Sequence, residues 1–297
     1  MSKQLNQFIY HDLQYQQDEV LQAFVDEINN KLNSCVIGVV FYGSCMRSRQ
    51  YQDAMLDFYV VVDKYSNAYS NYWYRIANRL LPPNVFFIQV HIREQVYRAK
   101  YAVVSQQNLL AAVDNGFHSY FWARFTQPIA YIYANNSDFK KQLADIQCIA
   151  AQSFYCAVMP RFEGAPTSGE FWVEGLQLTY AAELRAETKA RAAHIYDSDR
   201  EFYDEVFSGL LAIQDYRQQN MLVNNFKWKI RIVYGKFLSV LRLMKATTTF
   251  IGGVDYIAWK IERHTGEPVQ VSNKMRKYPW IYCWPVIFRL LKQGKIR

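Results

Sequence analysis

Apolar positions recur at helical spacing near the start of the chain. Leu13, Val20, Leu21, Phe24, Val25, Ile28 and Leu32 predict one amphipathic helix over residues 10–32. The period then changes. Residues 35–42 (CVIGVVFY) form a short, β-branched, almost wholly apolar run ending at Gly43-Ser44, which predicts a buried strand. Residues 54–63 (AMLDFYVVVD) predict a second strand with one acid, Asp57, inside its apolar run. A helix over 71–81 stops before Pro82-Pro83. Strands follow over 84–92 and 99–105, and a helix starts at Gln106.

After residue 133 the apolar pattern becomes helical throughout, with segments over 138–160, 170–195, 199–220 and 226–247. The expected class is α+β: a mixed sheet with flanking helices, then a mainly helical domain and a basic C-terminal tail. The corresponding domains are 1–135, 136–250 and 251–297, the first boundary resting on the modest linker signal Asn135-Asn136-Ser137.

Charge sharpens this division. From Phe226 onward the chain holds 15 of its 34 Lys and Arg but only three of its 26 acids, so a basic tail follows a mildly acidic body. Such a tail suits a polyanionic surface, either anionic lipid or nucleic acid. Lys274, Arg276 and Lys277 lie beside Trp280 and Trp284, and cations next to aromatic residues are suited to the headgroup boundary of a bilayer. No apolar stretch is long enough to span a membrane; the best candidate, 278–288, is short and contains two prolines. The N-terminal residues resemble neither a secretory nor an organellar leader, so a cytoplasmic protein, peripheral on the inner face of a membrane, is expected.

Several chemistries find no support. The five cysteines and five histidines lack zinc spacing, there is no GxSxG, and Gly252-Gly253 lacks the pattern of a dinucleotide loop. What remains is Gly43-Ser44 at one strand end and Asp57 inside the next strand. Glycine lets backbone N–H groups approach a phosphate, and a carboxylate on a rigid strand can hold a divalent ion. An ionised group on so apolar a strand needs a partner or a metal.

The order of these pieces resembles the polymerase-β-like nucleotidyltransferase superfamily. More narrowly, it resembles the mitochondrial-type CDP-diacylglycerol synthases, the phosphatidate cytidylyltransferases of the translocator assembly and maintenance family. Tyr42-Gly43-Ser44 is similar to that family's glycine-serine motif, and residues 54–58 with Val62-Asp63 to its aspartate strand. Residues 99–105 (AKYAVVS), Ala123-Arg124-Phe125 with Gln127-Pro128-Ile129, and residues 178–185 (LTYAAELR) are similar to three further segments, and 247–259 to its C-terminal region. The likeness runs over roughly residues 35–260. Four features depart from it, one being Ala102 where the family has a glycine after Lys-Tyr. Tyr59 stands where the wider superfamily has a second acid, a His-containing segment between Asp63 and Pro82 is missing, and Ala182-Glu183 replaces Gly-Asp.

The resemblance implies a nucleotidyltransferase-type fold that transfers CMP from CTP to phosphatidate with Mg²⁺ at an anionic membrane surface. It implies catalytic roles for Asp57, Ser44 and Lys100. Nucleotide contacts would come from Tyr42, Gly43, Ser44, Lys100, Arg124 and Arg185. Asp57 would hold the metal, with Asp63 as a further ligand and Asp53 and Glu94 also in view. No nucleic-acid partner is expected, and the oligomeric state is open. The plainer readings are an edge-strand lysine at position 100, salt-bridging arginines at 124 and 185, and core packing for Tyr180. The rival functions are a nucleotidyltransferase acting on RNA or protein, and an inactive nucleotide- or lipid-binding module.

Overall fold

The computed structural model describes residues 3–32, 35–183, 189–212, 220–249 and 270–277. Helix α1 (Lys3–Asp12) leads through strand β1 (Gln14–Tyr15) to α2 (Glu19–Lys31). The single helix expected over 10–32 is therefore broken. Leu13 is buried at the break, and Asp18 restarts the helix as an N-cap, accepting from the Leu21 amide at 2.8 Å. Strand β2 (Val36–Tyr42), the short helix α3 (Ser44–Ser48) and strand β3 (Met55–Val62) follow. Next come α4 (Tyr65–Ala68) and α5 (Tyr72–Leu80), the latter capped by Asn71 as its sequence suggests. Strands β4 (Asn84–Ile92) and β5 (Gln95–Ser105) form a hairpin, so β5 starts four residues earlier than expected. Helices α6 (Gln106–Asp114) and α7 (Trp122–Phe125) precede β6 (Ile129–Ala134), the last strand among the described residues.

The sheet order is β1-β6-β2-β3-β5-β4, with β1/β6 and β3/β5 parallel and the other pairs antiparallel. The α+β class expected from the sequence is thus present: a mixed sheet with flanking helices, then a helical region. That region holds α8 (Phe139–Val158), α9 (Ser168–Ala181), α10 (Lys189–Ser198), α11 (Arg200–Leu211) and α12 (Met221–Thr249), with α13 (Asn273–Lys277) beyond. The segment expected as one helix over 170–195 is divided between α9 and α10. A reciprocal capping box between Thr167 and Glu170 starts α9.

Alternation along the strands assigns each side chain to a face. Leu56, Phe58, Val60 and Val62 of β3 pack with α2 and α4, together with Val39, Phe41, Ala99, Tyr101 and Val103. The opposite parity, represented by Val40, Tyr59, Val61, Ala102 and Val104, joins one continuous core with α1, α8, α9 and α11. Tyr42, Asp57 and Lys100 share this second parity, so the sheet's polar side chains open toward the helical region rather than toward α2.

Candidate active site

Strand β2 ends at Tyr42 opposite Asp57, near the start of β3. The chain turns there through Gly43 at φ 89°, a left-handed conformation that suits glycine. A Cβ at this position would lie 3.3 Å from Asp57 Oδ2, so glycine also makes room for the carboxylate. Ser44 opens α3 and is exposed.

Lys100 lies directly across from Asp57 in the parallel register of β3 and β5. Its Nζ is 2.9 Å from Asp57 Oδ1. Because β5 runs between β3 and β4, Lys100 is not an edge-strand residue. The contact is ionic but poorly aligned as a hydrogen bond: Oδ1 is buried and accepts none. Lys100 therefore balances the charge that the sequence left exposed to question, without saturating the carboxylate.

A cleft of about 170 Å³ opens beside this pair. Its wall takes Tyr42, Gly43, Ser44, Arg47 and Asp57 from the sheet side. Ala123, Arg124, Gln127 and Pro128 come from α7 and the turn after it, and Thr179, Tyr180 and Glu183 from the end of α9. Arg191 and Ile195 of α10 close it. Residues from four sequence segments singled out by their resemblance are thus brought to one place.

Arg124, expected as a phosphate contact, lines the cleft and is engaged by a carboxylate. Its guanidinium forms a fork with Glu183 at 2.6 and 2.7 Å, donates to the Tyr120 carbonyl at 2.7 Å and stacks over the Tyr120 ring at 3.8 Å. Both charged side chains are nearly buried. Burial is the largest single influence and opposes the charge on Arg124, but Glu183, Tyr120 and Tyr59 together overcome it and hold the guanidinium well above its ordinary pKa. The pair buttresses the cleft wall, which is the salt-bridge alternative weighed from the sequence.

Asp63 does not join Asp57. It follows the far end of β3, six residues on, or roughly 20 Å at the rise of a strand. Its carboxylate accepts from the Lys64 amide at 2.5 Å and Asn67 Nδ2 at 2.6 Å, which ties down the start of α4. Asp53 and Glu94 do not line the cleft. Tyr59, at the position of the superfamily's second acid, is buried and stacks on Tyr42 with ring centroids 4.9 Å apart. An acid there would be immersed in the core.

Arg185, Trp280 and Trp284 lie outside the described residues, as do the side chains of Arg276 and Lys277; Lys274 is exposed on α13. Sequence reasoning missed Arg47, Arg191 and Ile195. Arg47 follows Gly43-Ser44 by one helical turn, a spacing that could have flagged it. Nothing near residue 191 marks it in the sequence.

The donor set can be tested against Mg²⁺. Among the described residues no three His, Cys, Asp or Glu side chains converge, so a protein-built cage is absent there. Asp57 lines the cleft, but its Oδ1 is buried and lies 2.9 Å from Lys100 Nζ, which leaves Oδ2 beside Gly43 as the oxygen a metal could use. A Mg²⁺ there would have one protein carboxylate and would take its other ligands from water and phosphate oxygens.

No family model matches the chain, and no curated protein does. Among solved structures it is similar to a nucleotidyltransferase-like protein from Exiguobacterium sibiricum 255-15, at 10% identity over 92% of this chain and 91% of that chain. The TM-score is 0.27, too low for that likeness to weigh in the reading of the site.

Proposed function

We propose that this chain is a nucleotidyltransferase that moves CMP from CTP to the phosphate of phosphatidate, releasing pyrophosphate and forming CDP-diacylglycerol at a membrane surface. One observation carries the reading. Tyr42-Gly43-Ser44, Asp57, Arg124 with Gln127-Pro128, and Thr179-Tyr180, which resemble one family in order along the chain, line a single cleft.

The chain's own groups account for the work such a transfer needs. The Ser44 hydroxyl and the Gly43-Ser44 turn would meet the triphosphate, and Arg47, which is 3.4 Å from Asp199 Oδ2, and Arg191 line the same cleft and would offset its charge. Lys100 holds Asp57 in place from the neighbouring strand. Mg²⁺, held by Asp57, would neutralise charge on the phosphate oxygens. The Arg124–Glu183 pair fixes the wall against which the acceptor is oriented. A phosphatidate oxygen forms the new bond to the α-phosphorus as the bond to the bridging oxygen breaks, and the electron pair leaves with pyrophosphate. The acceptor is already ionised, so no general base is required, and positioning supplies most of the rate.

Buried Tyr59 in place of a second acid favours a rival reading, a binding module without catalysis. Pyrophosphate release separates the two. With each of the four nucleoside triphosphates, Mg²⁺ and phosphatidate vesicles, release with CTP alone supports the proposal. Release with another nucleotide, or without lipid, retains the transferase and discards the substrate. Absence of release under every condition removes the catalytic reading.

A further inference from the structure

Helix α12 is built inside out. Its buried face carries Asn224, Trp228, Arg231 and Gly235, whereas Leu222, Phe226, Ile230, Val233, Phe237 and Val240 are exposed. These apolar residues recur at steps of three or four, so they form one stripe along the helix. Phe226 is 64% exposed and Val233 71%. An isolated exposed Leu or Val needs no explanation, but a continuous stripe of this length marks a contact surface.

The inward face shows why the helix is held this way round. Asn224 Nδ2 and Trp228 Nε1 both donate to the Ala157 carbonyl, at 3.1 and 2.8 Å. Arg231 Nε donates to the Phe117 carbonyl at 2.6 Å, and Arg242 Nε to that of Pro82 at 3.0 Å. Lys245 Nζ reaches the Pro83 carbonyl at 2.8 Å. Gly235 allows close approach, since a Cβ there would lie 2.3 Å from the Ala182 carbonyl, next to Glu183 of the cleft wall. Rotating α12 to hide its stripe would strand these polar groups against the core.

Charge decides among the possible occupants. The 29 residues of α12 include no Asp or Glu, and of its six Lys and Arg three, Arg231, Arg242 and Lys245, are turned inward, leaving Lys227, Lys229 and Lys236. Lys229 and Lys236 are exposed and flank the stripe along one side. A second copy packed on this stripe would bring lysines against lysines. A nucleic acid would meet the lysines but leave the aliphatic and aromatic stripe without a partner. An anionic bilayer satisfies both, taking the stripe into the acyl boundary and the lysines at the headgroups.

We infer that the exposed stripe of α12, flanked by Lys229 and Lys236, is a docking face for an anionic lipid surface. This rests on the proposed function only in that a lipid acceptor requires such a face; the binding itself is separable from the chemistry. Because α12 packs behind the cleft wall, with Gly235 against Ala182 next to Glu183 and Arg242 over the Tyr120 ring at 4.1 Å, docking would set the cleft at a fixed attitude to the bilayer.

The test uses the full-length chain and vesicles of phosphatidylcholine with or without phosphatidylglycerol, with no nucleotide or phosphatidate present. Wild type should co-sediment with the anionic vesicles, less so as salt rises. The double substitution Phe226→Glu and Phe237→Glu should weaken binding by ~10-fold or more, and Lys229→Glu with Lys236→Glu should weaken it and flatten the salt dependence. Transfer to a short-chain, water-soluble phosphatidate should be unchanged in both. Vesicle binding that survives the phenylalanine substitutions overturns the proposal. So does a wild-type dimer that those substitutions convert to a monomer, which makes a second copy the occupant. So does a lower melting temperature with no vesicle binding by the wild type, which assigns the stripe to the chain's own remaining residues. Failure of the transferase reading alone would leave vesicle binding intact.

Discussion

Asp57 and Lys100 stand opposite each other on adjacent parallel strands, and their charged ends meet at 2.9 Å. Each is partly open to solvent, so the pair lies at the mouth of the core rather than inside it. Such a pair adds little to stability. Asp57 lines the cleft, and the proposed function gives it a chemical role there. Asp57→Asn should therefore lower pyrophosphate release by at least ~100-fold while leaving the melting temperature nearly unchanged. A melting temperature that collapses with activity would make the pair a structural strut instead.

Gly43 tests whether the turn is shaped by its neighbour. At φ 89°, with Asp57 Oδ2 3.3 Å from the place of a Cβ, Gly43→Ala meets both backbone strain and a displaced carboxylate. Unfolding free energy should fall by ~1–2 kcal/mol, and catalysis should fall further than stability explains. Denaturant unfolding beside steady-state kinetics checks both.

The Arg124–Glu183 fork makes an asymmetric prediction. Removing either partner takes the fork away from a nearly buried charge, so Arg124→Met should cost ~3–5 kcal/mol. Replacing both with apolar residues should recover much of that loss. A double-mutant cycle in denaturant measures the coupling. Full additivity would show that the fork is not the wall's support.

His118 gives the pH dependence its sign. Burial first, and the Arg242 charge next, push its pKa down from 6.5 to about 4. Between those values the unfolded chain binds the proton and the folded chain does not, so stability rises with pH across that window and falls as acid is added. Below about 4 the loss is complete. His118→Phe should flatten the profile between pH 4 and 6.5 in thermal unfolding. An unchanged slope would assign the acid sensitivity to other groups.

The strands of the sheet were legible because runs such as residues 35–42 and 54–63 are too short and too β-branched for another element. Asp57 stood out for the same reason, as the one acid with apolar residues on both sides within such a run. The identity of its partner was less accessible, because the register that puts Lys100 opposite it is a tertiary property. Break points within helices were also hidden, since Leu13 and Val20 fit one helical stripe although a strand lies between them. The orientation of α12 escaped the pattern altogether: amphipathic logic buries the apolar face, whereas carbonyl contacts from Asn224, Trp228 and Arg231 hold the polar one inward. Arg124 shows the limit on site residues, because the same guanidinium suits a phosphate or a carboxylate, and only the fold supplies Glu183.

The proposed transfer joins a nucleotide's α-phosphorus to a lipid phosphate in the cleft beside Asp57. CTP labelled at the α-phosphate and, in a parallel reaction, at the γ-phosphate should be incubated with the full-length chain, Mg²⁺ and phosphatidate vesicles. The account predicts α-label in the solvent-extracted lipid, γ-label in pyrophosphate, and neither with Asp57→Asn. Recovery of γ-label in the lipid, or of α-label there regardless of Asp57, would contradict it.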